Sequence, residues 1–139
     1  MAMTAKIPAR LRRSRGFTLI EMLIVMTLIV VLASVGLIAY QTSVRRGREA
    51  VLKEDLYRMR DAIDQYYADK GKYPTDLNDL VSTNYIRRIP VDPMTNSAET
   101  WQTVQAEPDP ANPTVESGIT DVKSGSEGAA IDGTNYADW

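Results

Sequence analysis

Between Phe17 and Tyr40 the chain runs for 24 residues, FTLIEMLIVMTLIVVLASVGLIAY, with Glu21 as its single charged side chain. At about 1.5 Å per helical residue, the uncharged part from Met22 onward covers roughly the 30 Å of bilayer hydrocarbon. The run therefore reads as a transmembrane helix. Lys6, Arg10, Arg12, Arg13 and Arg15 precede it with no acid among them. Short positive flanks stay cytoplasmic, so the N-terminus is expected in the cytoplasm and everything after Tyr40 outside it. An ordinary secretory signal places its small residues after the apolar core, whereas Gly16 comes before it. Glu21 needs an explanation, because a bare carboxylate in hydrocarbon costs at least about 2.5 kcal/mol on insertion scales. A carboxylate solvated among headgroups is the bland alternative to one that is paired.

The remaining composition narrows the function classes. Of the chain's 16 Lys+Arg, five lie in the basic N-terminal stretch; the 11 left face 18 Asp+Glu, a net of −7 beyond Gly16. That balance argues against nucleic acid as a partner. No histidine is present, which removes the usual general base and the usual transition-metal ligand. No cysteine is present either, so disulfides and thiolate chemistry are excluded. With the membrane segment set aside, about a hundred residues remain for a core, too few for a typical multi-residue catalytic cleft. Acidic pairs such as Asp61 and Asp64 fall on the exposed face of a helix, and no enzyme is expected.

Beyond the membrane segment, residues 41–70 lack proline and carry Leu52, Leu56, Met59, Ile63 and Tyr66 at alternating steps of four and three. This is the stripe of an amphipathic helix, with Arg45, Arg46, Arg48, Glu54, Asp55, Arg58, Arg60, Asp61 and Asp64 on the remaining surface. Gly71 and Pro74 mark its stop. A short second helix is expected after Thr75 as N-cap. Residues 92–139 hold nine acids against one lysine, with strand-like runs only at 100–104 and 119–122. The expected fold class is α+β: one long N-terminal α-helix, transmembrane then amphipathic, packed on a small antiparallel β-sheet of two or three strands with long loops. The segment EPDPANP, residues 107–113, is expected to be an extended connection between strands. Trp101 and the tyrosines 66, 67, 73 and 85 read as packing aromatics. For Trp139 the sequence leaves open whether it anchors the tail or stays exposed.

The stretch RGFTLIEMLIV, residues 15–25, resembles the processing site of the type IV pilin and pseudopilin superfamily. That resemblance implies a basic leader, residues 1–16, ending at Gly16; cleavage by a membrane-bound prepilin peptidase; N-methylation of the new N-terminal Phe17; and Glu21 as the assembly glutamate. Thr18, Leu19 and Ile20 match the usual filler. The new amine of Phe17 is then available to the Glu21 carboxylate of a neighbouring subunit. Residues 17–40 would be the transmembrane half of the long helix and 41–139 a periplasmic pilin-like domain.

YYADKGKYPTDLNDL, IRRIPVDPMTN and the tail DVKSGSEGAAIDGTNYADW are similar to the major, G-type pseudopilins of type II secretion systems. Tyr73-Pro74 and Pro90-Val91-Asp92-Pro93 carry that match. The resemblance implies a calcium-binding tail loop. Its oxygen donors include Ser124, Ser126, Glu127, Asp132 and Asp138, without EF-hand spacing; Asp132 ranks first as a ligand, then Ser126 and Glu127. Calcium is then expected to raise the melting temperature of the soluble part. Two departures stand out. Ile38 occupies the place of a common helix proline, leaving Gly36 as the weak point nearby, and the leader is long, with Met1 and Met3 both available as starts.

The implied function is a structural subunit that polymerises into a periplasmic pseudopilus. Its partners would be further copies of itself, the peptidase and methylase, other pseudopilins, inner-membrane secretion components and the lipid bilayer. A type IV pilin or minor pilin is the near alternative, and a non-polymerising membrane-anchored binding module the distant one. The Arg45-Arg46-Arg48 cluster is expected to meet acidic residues of a neighbouring subunit, or lipid headgroups.

Overall fold

The computed structural model describes residues 16–107, 110–111 and 117–139. Residues 1–15 of the expected leader, and most of the proline-rich connection expected at 107–113, lie outside the described residues. The first element is α1, Leu19–Lys70, a helix of 52 residues. Two compact units divide after Ala39, the second being Tyr40–Trp139.

In the first unit, none of the most apolar window of α1 is buried. Leu19, Leu23, Val30, Leu32 and Val35 are all more than half exposed. The two hydroxyls of this stretch are turned back on the helix: Thr27 Oγ1 donates to the Leu23 carbonyl at 2.8 Å and Ser34 Oγ to the Val30 carbonyl at 2.7 Å. Such back-bonding leaves the outer surface apolar. The helix passes Gly36 without a break.

The second unit is built on one face of α1. Leu52, Leu56, Met59, Ala62, Ile63 and Tyr66 are buried, which is the predicted stripe with Ala62 filling the position between Met59 and Ile63. They form one core with Leu77 and Leu80, Trp101, Ile119 and Val122, Ala130 and Tyr136. Gly71 ends α1 with φ of 69°, in the left-handed region, and its N–H donates to the Tyr67 carbonyl at 2.8 Å. Pro74 follows, and its carbonyl accepts from Ile119 N at 2.7 Å, so the Tyr-Pro turn docks the later strand.

Next comes α2, Leu77–Ser82. The N-cap is Asp76 rather than the expected Thr75. Asp76 accepts from the Asn78 amide, while Asp79 reaches back to the Asp76 amide and completes a capping box. Thr75 instead donates both its N–H and its hydroxyl to Asp79, at 2.9 and 2.6 Å. A carboxylate one residue later outcompetes the hydroxyl, because it accepts several donors at once.

Strands β1, Gln102–Gln105, and β2, Ile119–Lys123, pair antiparallel from Gln102 opposite Lys123 to Gln105 opposite Ile119, with a register irregularity between Val104 and Gln105. β1 is exposed along its length, whereas β2 buries Ile119 and Val122 in the core. The Pro90-Val91-Asp92-Pro93 element is tied to Ser124, the residue that follows β2. Asp92 is fully buried and accepts from Met94 N at 2.8 Å and from the equally buried Ser124 hydroxyl at 2.6 Å. Pro90 offers its carbonyl to Trp101 Nε1 at 2.8 Å. Gly125 lies so close to the Thr100 carbonyl that a Cβ there would collide with it. The tyrosines pack as expected: Tyr66 meets Tyr85 edge-on at 5.6 Å and Tyr67 stacks on Tyr73 at 4.4 Å.

Two outcomes test this packing. Ile63→Ala should destabilise the second unit by about 2–5 kcal/mol, whereas Ile131→Ala, at an exposed position, should cost far less; melts of the detergent-solubilised chain measure both. Asp55 gives a pH signature. Burial pushes its carboxyl above the ordinary value, against the attraction of Arg58 and with repulsion from Glu54 and the buried Asp92 added. A raised carboxyl pKa gives stability that is present below the unfolded value and lost as pH rises through the folded one. Asp55→Asn should therefore raise the melting temperature at neutral pH, and the gain should vanish below about pH 4.

Candidate functional site

Gly16, Phe17 and Thr18 precede α1 in an open, non-helical segment. Phe17 is 74% exposed and, among the described residues, nothing lies within 4 Å of the space beside Gly16. The Gly16–Phe17 peptide bond therefore stands clear of the helix, as a protease requires of its substrate. Glu21 lies in the first turn of α1, exposed, and makes no ion pair among the described residues. Here its charge faces the positive end of the helix dipole, a stabilisation of about 0.3–1 kcal/mol near a surface.

Thr18 has a role beyond filler. Its hydroxyl accepts from the Glu21 amide at 3.2 Å, and its carbonyl from Met22 N at 3.1 Å, so it starts the helix. The signal was present in the sequence: Thr18-Leu19-Ile20-Glu21 has the threonine-to-glutamate spacing of a capping box just ahead of an apolar run.

The oxygen donors expected for calcium are spread along the tail. Ser126 accepts from Gly128 N at 3.2 Å and lines a depression with Tyr40, Arg45, Arg48 and Tyr136. Glu127 is exposed on the loop. Asp132 accepts from the Thr134 amide at 3.0 Å and from its hydroxyl at 2.6 Å, bonds that hold its carboxyl below the usual range. It lines a separate depression with Lys53, Arg60 and Trp139. Ser124 is committed to Asp92, and Asp138 accepts from Asn135 Nδ2 at 3.2 Å. Ser126 and Asp132 thus belong to different depressions, each with basic neighbours. Among the described residues no group of three or more carboxylates is placed to hold a metal. This donor set does not fit a calcium ion, which takes six to eight gathered oxygens.

Side chains that the helical pattern assigns to the outer surface hold this tail. Arg45 donates to the Ala129 carbonyl and to Tyr136 Oη, and lies 3.7 Å from Glu49. It turns toward its own chain rather than remaining free for a neighbour. Arg60 donates to Asp121 Oδ1 at 2.6 Å, to the Val122 carbonyl at 3.0 Å and to the Trp139 carbonyl at 2.7 Å. Trp139 also lies edge-on to Tyr136, beneath the Lys53 ammonium, so it anchors the tail.

The family model for the prokaryotic N-terminal methylation motif matches residues 11–37, spanning the Gly16–Phe17 junction and the start of α1. Type II secretion system core protein G of Klebsiella pneumoniae is 32% identical over 99 residues, covering 60% of this chain and 71% of that protein. This chain belongs to the core protein G family. The core protein G of Escherichia coli is 30% identical over 100 residues, covering 60% of this chain and 69% of the relative. Fimbrial protein EcpC of Eikenella corrodens is 40% identical over 62 residues, which covers 45% of this chain but only 40% of that protein. No solved structure matches. These relatives are named as secretion-system core or fimbrial proteins, none of them as an enzyme, and the apolar helix fits an inner-membrane anchor. As a core protein G relative, the chain is a pseudopilin of the type II secretion kind.

Removing the cap tests the local geometry at the junction. Thr18→Val should cost about 1 kcal/mol at the helix start, read as faster amide exchange at Ile20 to Met22 with exchange at Leu52 to Ile63 unchanged.

Proposed function

We propose that this chain is a precursor held in the cytoplasmic membrane by residues 17–40, with residues 1–16 in the cytoplasm and residues 41–139 in the periplasm. A prepilin peptidase cuts after Gly16, the Phe17 amine is methylated, and the mature subunit polymerises through α1 into a periplasmic filament that drives protein secretion. The observation that carries the reading is the reach of the similarity. The core protein G alignments run 99 and 100 residues, well beyond the methylation motif, whereas the fimbrial match stops at 62. Its partners in this reading are copies of itself, the peptidase and methylase, other pseudopilins, inner-membrane secretion components and the bilayer.

Glu21 has a defined part in this assembly. Cleavage creates a positive amine four residues before it, and in a bundle of α1 helices that amine meets the Glu21 carboxylate of the neighbouring subunit. The pair removes the cost of a bare carboxylate in hydrocarbon and fixes the axial step between subunits.

Mass spectrometry of the protein co-expressed with a prepilin peptidase should find a chain beginning at methylated Phe17. Gly16→Leu should leave the leader attached, and Glu21→Ala should be cut normally yet yield at least about tenfold less filament, the loss expected when a buried ion pair is broken. A wild-type chain left uncut by an active peptidase would sink the proposal in favour of a membrane-anchored binding module. Surface fibres formed without any effect on secretion would favour a type IV pilin.

A further inference from the structure

The tail expected to gather a calcium ion is instead already gathered. We propose that the loop Gly128–Tyr136 is closed by Arg45 and Glu49 of α1, and that its end is held by Arg60 and Lys53, so that charged side chains of α1 do the cross-linking a divalent cation would otherwise do. The loop's oxygens and amides are already bonded to side chains of α1. A guanidinium presents several donors in a fixed plane and can bridge acceptors that are far apart in sequence. Arg45 does so between the Ala129 carbonyl and Tyr136 Oη. One turn later in α1, Glu49 Oε1 accepts from Ile131 N at 2.9 Å and from Tyr136 Oη at 2.8 Å. The two side chains therefore grip the loop at residues 129, 131 and 136, and Tyr136 is only 4% exposed.

The loop's own bonds close around this grip. Tyr136 N donates to the Gly128 carbonyl at 3.0 Å and Ala130 N to the Thr134 carbonyl at 2.6 Å. At the far end Arg60 takes the Val122 and Trp139 carbonyls together, and the Lys53 ammonium sits 4.3 Å from the Trp139 ring centre. A metal would draw on carbonyls and on Asp132, and Arg45 and Arg60 already hold the carbonyls at Ala129, Val122 and Trp139. It would also enter depressions lined by Arg45 and Arg48 on one side and by Lys53 and Arg60 on the other, where like charge opposes it. The clamp is independent of whether the subunit polymerises.

Hydrogen exchange and thermal melts of the full chain in detergent test this, in excess EDTA and in excess calcium. Melting temperature and amide protection at Ala130, Ile131 and Tyr136 should be the same in both. Arg45→Gln should speed exchange at Ile131 and Tyr136 by about tenfold while leaving Leu56 and Ile63 protected. Calcium that raises the melting temperature or slows exchange in the wild-type loop would overturn the proposal, as would an Arg45→Gln chain with unchanged loop protection. Should that variant fail to fold, the wild-type comparison between EDTA and calcium decides alone.

Discussion

The second unit depends on one contact surface, the face of α1 from Leu52 to Tyr66. Neither α2 nor the two-stranded sheet has an apolar face large enough to fold alone, since an isolated hairpin is marginal in water. Each contributes two buried residues or fewer per element: Leu77 and Leu80 from α2, Ile119 and Val122 from β2, none from β1. These groups become a core only because α1 offers a preformed floor for all of them. The helix interior is accordingly where packing is least tolerant. The tail, by contrast, adds only Ala130 and Tyr136 to the core, and polar side chains do most of its fastening.

Polar fastening on this scale is costly unless every group is satisfied. Asp92 shows how it is met: a fully buried carboxylate, bonded by Met94 N and by Ser124, whose hydroxyl in turn accepts from Ser126 N. Among the described residues, no buried side-chain nitrogen or oxygen lacks a partner. Asp92 thus ties the proline-flanked element to the beginning of the tail, and Arg60 ties the strand to its end. The tail is pinned at both ends before Arg45 and Glu49 close its middle.

Much of the architecture was legible because it rests on period and punctuation. The stripe of α1, its stop at Gly71 and the two strand-like runs follow from apolar spacing and turn chemistry, which act locally. What the pattern did not expose is long-range. Arg45 and Arg60 fall on the polar side of the helical wheel, and nothing in their spacing says that their partners lie 84 and 61 residues away. Choosing between Thr75 and Asp76 as the cap depended on which acceptor Asp79 could complete. Residue type points to Ser126, Glu127 and Asp132 as calcium donors, and type alone does not say that Asp132 and Ser126 line different depressions. Thr18 differs, since its capping spacing with Glu21 was in plain view beneath the stronger signal of the processing motif.

At Glu21 the local structure bears on the proposed assembly. Its place in the first turn of α1 recovers about 0.3–1 kcal/mol from the helix dipole, and less in salt. Full exposure of a carboxylate to hydrocarbon costs at least about 2.5 kcal/mol, so the dipole alone leaves a deficit. Thr18 does not make it up, because its hydroxyl is bonded to the Glu21 amide rather than to the carboxylate. Within one subunit the residue can remain near the membrane surface, where water covers the difference. Packed among other apolar helices it needs a cation, and the basic side chains of the described residues begin only at Arg45, 24 residues later in the sequence. An amine created at Phe17 would lie at the right depth, on the same end of a neighbouring helix. In the proposed assembly, cleavage supplies that amine at Phe17, two residues nearer to Glu21 than Arg15 of the expected leader, so that the counter-charge of the filament is made by processing.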